Sequence, residues 1–109
     1  MNPLKADAAL LAARAMDVPL HTARMLIEWA QCARNDADSG FVRAFVRGDL
    51  MLTVAAADQR TRDRLAAVCS WTRTFLPHDA FGRPECETDW PRTVALRRLL
   101  SNPRLDAND

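Results

Sequence analysis

The sequence predicts an all-α domain, a compact bundle of five or six short helices, on three observations. Apolar residues recur at i, i+3, i+4 and i+7 in several separate stretches, the period of a helix with one buried face. Prolines, glycines and clusters of Asn, Asp and Ser separate those stretches. Only residues 41–54 also admit a strand reading, as a β-hairpin turning at Arg47-Gly48-Asp49, and this is the alternative the pattern leaves open.

The 109 residues suffice for a single core but not for two, so residues 1–109 read as one domain. Hydrophobic residues are 49% and charged residues 27%, which argues against disorder. The formal net charge is +1. Its distribution is uneven, because residues 41–83 carry 7 basic against 4 acidic side chains and the flanking segments are each one charge negative. No run approaches the roughly 18 apolar residues of a membrane span, so no membrane partner is expected. The first residues lack the pattern of a secretion signal. Three widely spaced cysteines, Cys32, Cys69 and Cys86, suit reduced thiols better than a disulfide framework, and the expected location is cytoplasmic.

The first helix is expected from about residue 4 to 16, with Leu4, Ala8, Leu11 and Ala15 on its inner face and Pro3 in its first turn. Asp17-Val18-Pro19 ends it, since a residue before proline is pushed out of the α region. The second helix, from Pro19 to near Arg34, is the most apolar, and Leu20, Ala23, Leu26, Ile27, Trp29 and Ala30 leave it only a narrow polar edge. Residues 35–40 form a loop. A calcium-loop reading fails there, because Ala37 and Val46 fall where carboxylates are required.

Read as a helix, Phe41 to Arg47 separates Phe41, Val42, Phe45 and Val46 from Arg43 and Arg47, with Gly48 as its stop. Asp49 is expected to cap a helix over 50–57, with Leu50, Val54 and Ala57 inward. A break over 58–64 leads to a helix reaching Phe75, with Leu65, Val68, Thr72 and Phe75 inward and Pro77 ending it. Residues 77–89 are expected to be irregular. Asp89 is expected to cap a last helix carrying Val94, Leu96, Leu99 and Leu100, followed by a frayed tail over 103–109. The predicted core joins Leu26, Ile27, Trp29, Phe45, Leu65, Val68 and Phe75.

Residues 9–28, ALLAARAMDVPLHTARMLIE, carry the main functional signal. Ala13 is a small residue where two helices would approach, Asp17 occupies a turn position that favours a left-handed residue, Val18 follows it, and Ala23 and Leu26 point back. This pattern resembles the helix-turn-helix DNA-binding proteins of bacteria and phages, over about a fifth of the chain. It departs from theirs in having Asp17 in place of glycine. The resemblance implies a regulator that binds DNA as a homodimer and presents Leu20, His21, Arg24 and Glu28 on its second helix, with only Arg24 clearly suited to a base edge. Arg60, Arg62 and Arg64 would then touch phosphates. The same residues are also accounted for by two packed helices and a solvated charged face.

The rival expectation is a protein-binding module, such as a phage or plasmid inhibitor, an immunity protein or an adaptor, acting through the acidic 77–89 loop with its Glu85, Glu87 and Asp89 or through an apolar groove. His78, Asp79 and Cys86 lie in the same loop, but no metal or catalytic spacing accompanies them. No cofactor, no metal and no enzymatic activity are expected.

Overall fold

The computed structural model describes residues 6–35 and 38–101. Leu4, Pro3, loop positions 36 and 37 and the expected frayed tail lie outside the described residues. Among the described residues the helices are α1 (Ala6–Ala15), α2 (Leu20–Cys32), α3 (Gly40–Arg47), α4 (Leu50–Ala56), α5 (Gln59–Asp63), α6 (Leu65–Phe75) and α7 (Cys86–Ser101), with a 3-10 turn at His78–Ala80. The described residues thus form helices and no strand. Their seven α-helices exceed the expected five or six, because residues 58–64 hold the short α5 and not a plain break.

The β-hairpin alternative over 41–54 does not form, and the helix caps explain why. The Ser39 hydroxyl accepts the Val42 N–H at 3.2 Å and starts α3. Gly48 closes it in the left-handed region at φ 71°. The Asp49 carboxylate then accepts the Leu52 N–H at 3.1 Å and starts α4 at once. Only glycine serves at position 48, since a Cβ there would stand 2.4 Å from the Gly82 carbonyl oxygen.

Three tryptophans tie the core together, each burying its ring and donating its indole N–H to a distant carbonyl. Trp71 of α6 bonds the Ala9 carbonyl of α1 at 2.8 Å. Trp90 of α7 bonds the Trp29 carbonyl of α2 at 3.0 Å. Trp29 bonds the Ala80 carbonyl at 2.8 Å. Around these rings lie Ala13, Ala23, Leu26, Ile27, Val42, Val46 and Val68, all buried. The buried Thr22 and Thr61 hydroxyls, 2.7 Å apart, join α2 to α5.

Several expectations about helix faces are corrected. In α1 the buried residues are Ala9 and Ala13, while Ala8, Leu11 and Ala15 are exposed. An alanine-rich helix offers more than one apolar stripe, and the stripe that lets α2 and Trp71 approach closely is the one buried. Of the predicted core, Leu26, Ile27, Trp29 and Val68 are buried together and Phe45 and Leu65 pack half-buried against them. Phe75 instead is 38% exposed, because Trp71 takes the inward position on α6. The last helix begins at Cys86, earlier than Asp89, since Cys86 and Trp90 are both buried one turn apart. Pro91 therefore sits inside the helix, where the N–H it lacks would have bonded the Glu87 carbonyl. Of the expected inner face of α7 only Val94 is buried, and Leu96, Leu99 and Leu100 are exposed.

Candidate interaction surfaces

The first candidate surface is the α1–α2 corner. Asp17 adopts the left-handed conformation, φ 57°, that its position in the turn requires. The Val18 N–H bonds the Ala13 carbonyl at 2.8 Å, and Ala13, Val18, Ala23 and Leu26 are all buried. The exposed residues of α2 follow one line: His21, Arg24 and Gln31, with Glu28 half-buried among them. Leu20 lies half-buried against the core, which leaves little of it on this line.

The three arginines expected at phosphates do not form one set. Arg64 closes the corner, donating to the Asp17 carbonyl through Nε and to the Met16 carbonyl through a terminal nitrogen, each at 3.2 Å. It also lies 3.4 Å from the Asp17 carboxylate, and Arg60 stands 3.9 Å from the same group. Arg62 turns elsewhere and caps the end of α4, donating to the Val54 and Ala57 carbonyls at 3.2 and 3.0 Å. The Asp58 carboxyl is held below the usual carboxylate range, first by the Thr61 backbone N–H that it caps and lastly by the nearby His21 and Arg60 charges. Cations and carboxylates therefore alternate at this corner, and no basic stripe forms.

The acidic segment is also drawn inward. Glu87 bridges two arginines of α3, with Arg43 Nε at 2.9 Å and Arg47 at 3.2 Å. The Arg43 hydrogen bond depresses the Glu87 carboxyl, and the same contact raises the Arg43 guanidinium. The Glu85 carbonyl accepts the Thr88 and Asp89 N–H groups at the start of α7. Glu85 and Asp89 keep exposed side chains, whereas Glu87 is committed to α3. His78 and Cys86 do not converge: Cys86 is buried, and the exposed His78 places Nε2 2.9 Å from the Arg73 carbonyl. Among the described residues no three His, Cys, Asp or Glu side chains gather at one point.

A different apolar surface, at a place the sequence did not indicate, is the face of α4. Leu50 is 73% exposed, Met51 82%, Leu52 59% and Val54 37%. Leu50 and Val54 were expected inside, yet the buried residue of this helix is Thr53. The helix is held by its ends: Asp49 caps its start, Arg62 its last carbonyls, and the Thr53 hydroxyl bonds the Asp49 carbonyl at 2.6 Å. At 100° per residue Leu50 and Leu52 flank Met51 on opposite sides, so α4 is an apolar ridge with a groove on either side. The groove beyond Leu52, about 590 Å³, runs along α3 past Arg43, Ala44 and Arg47. The groove beyond Leu50, about 470 Å³, opens toward α6 and the 3-10 turn, past Phe45, Phe81 and Arg73. The signal for this ridge was available, because three consecutive large apolar residues sweep too wide an arc of a helix to face one core.

Among the described residues no helix is long and apolar enough to cross a membrane. No protein-family model, no curated protein and no solved structure matches this chain.

Proposed function

We propose that this chain acts by protein–protein contact, receiving an apolar segment of a different protein, flanked by acidic side chains, on the α4 ridge. The observation that carries this reading is the exposure of Leu50, Met51 and Leu52 on a helix held at both ends. Contiguous exposed apolar surface of this kind marks interaction sites in soluble proteins. From Leu50 to Ala57 the chain carries no charge, so a nucleic acid would find no cation on the ridge itself. Arg73 borders the groove beyond Leu50 and makes no ion pair among the described residues, which matches an apolar partner with an acidic rim, while Arg43 and Arg47 beside the other groove are already paired with Glu87.

The test is capture of partners from the cells that make the protein, comparing wild type with Met51→Glu and Leu52→Glu. A protein retained by wild type and lost by both variants, with their folding intact by circular dichroism, is the expected result. Identical capture by all three removes the reading. A wild-type dimer that Met51→Glu dissociates would reassign the ridge to a second copy.

DNA binding is the second reading, and one observation favours it: Asp17 is left-handed where the helix-turn-helix pattern needs it, with Ala13, Val18, Ala23 and Leu26 packed inward as that pattern requires. In this reading a homodimer offers Arg24 and His21 to base edges with Glu28 beside them, and Arg60, 73% exposed, to a phosphate. Arg24→Ala then weakens binding to the specific site by about 1–3 kcal/mol and relaxes preference at one base position, read by gel shift on a set of altered sites. A wild-type protein that shifts no DNA at low salt, where phosphate contacts are strongest, removes this reading.

A further inference from the structure

The groove between α4, α6 and the 3-10 turn has a chemistry of its own. Phe45, Phe81, Pro77 and Leu50 wall it with apolar surface, and Phe45 and Phe81 meet edge to face with ring centres 5.7 Å apart. Its charge is one-sided. Arg73 lines it, no Asp or Glu does, and among the described residues the Arg73 guanidinium makes no ion pair. Gly82 in its wall is tied to α3, because the Gly82 and Arg83 N–H groups both bond the Val46 carbonyl, at 2.9 and 3.2 Å. His78 at the rim is fixed too. A carbonyl only accepts, so the His78 Nε2 at the Arg73 carbonyl carries the hydrogen, which points the other ring nitrogen away from that bond. At about 470 Å³ the groove falls in the size range of small-molecule sites.

We infer that this groove binds a small amphiphilic carboxylate, its hydrocarbon or aromatic body against Phe45, Phe81 and Pro77 and its carboxylate on Arg73. A guanidinium beside apolar walls is the arrangement that recognises such a ligand, since the charge fixes orientation while burial of the body supplies affinity. A cationic amphiphile meets Arg73 as a like charge, and a neutral one leaves it unpaired. Leu50 and Arg73 border both this groove and the docking ridge, but the docking test changes Met51 and Leu52, on the crest and far side of α4, and so leaves the walls of this groove intact.

Cys69 lines the same groove and reports on its occupancy. Cys69 is exposed at the edge of the groove, and partial desolvation pushes its thiol above the usual range, so it alkylates measurably at alkaline pH. The experiment follows iodoacetamide modification of Cys69 by peptide mass in the full chain, at alkaline pH, with octanoate, octan-1-ol or octylammonium added. Octanoate slows Cys69 roughly tenfold at ten times its dissociation constant, as expected when only the empty groove reacts. Octylammonium does not slow it, and the half-buried Cys32 is unaffected by any of the three. In Arg73→Gln, octanoate loses its advantage over octan-1-ol. Equal protection by octanoate and octylammonium, protection by octanoate that survives Arg73→Gln, or no protection by octanoate overturns the inference. Each of those results leaves the effect of Met51→Glu on partner capture unchanged, so the two proposals fail separately.

Discussion

Two strongly apolar stretches of this chain have opposite fates. On α2, Ala23, Leu26, Ile27, Trp29 and Ala30 are buried. On α4, Leu50, Met51, Leu52 and Val54 are exposed. The difference lies in what crosses each helix. Helix α2 is met by α1, α5 and α7, and small residues such as Ala13 and Ala23 allow close approach. Helix α4 packs chiefly on its neighbour α3, and its ends are held by polar caps. Hydrophobicity alone does not decide burial; a residue is buried where a second element reaches it. A helix stabilised at its termini can keep its apolar face for something outside the chain.

This contrast can be broken by substitution, and the largest effect belongs to the core. Trp71→Ala removes a fully buried ring and the donor to the Ala9 carbonyl, and it should cost about 3–5 kcal/mol in urea unfolding. A loss under 1 kcal/mol would mean that α1 and α6 are not joined as described. Thr22→Val comes next. It strands the buried Thr61 hydroxyl and should cost about 1–3 kcal/mol, while Thr22→Val with Thr61→Val should recover part of that loss. Strictly additive losses would show that the two hydroxyls do not share a bond. At α4 the expected effects are smaller and sit at the ends: Asp49→Ala should cost about 1 kcal/mol through loss of the cap. If Asp49→Ala leaves the urea midpoint unchanged, the ridge is held by its face after all.

The helical class, the largely buried α2, the left-handed Asp17 and the cap at Asp49 were legible in the residues, because each rests on local chemistry. The faces of α1, α4 and α7 were not. Periodicity says that a stripe exists, and in an alanine-rich helix such as α1 several stripes satisfy it equally. Trp71 and Trp90 were overlooked because their indole partners, the Ala9 and Trp29 carbonyls, lie 62 and 61 residues away. The arginines were misread in a similar way. The run of Arg60, Arg62 and Arg64 looks like one basic patch, yet alternate residues of a short helix point apart, and Arg62 and Arg64 serve carbonyls at different helix ends. The ridge is not legible from apolar content alone, because a large apolar side chain does not say whether another element will cover it.

The α4 ridge is proposed to be surface kept for a partner and not misplaced core. The most direct measurement is the unfolding free energy of Met51→Glu in urea beside wild type. A change within about 0.5 kcal/mol is expected, as for any exposed position without a structural role. A loss of about 2 kcal/mol or more would place Met51 in the folding core and contradict it.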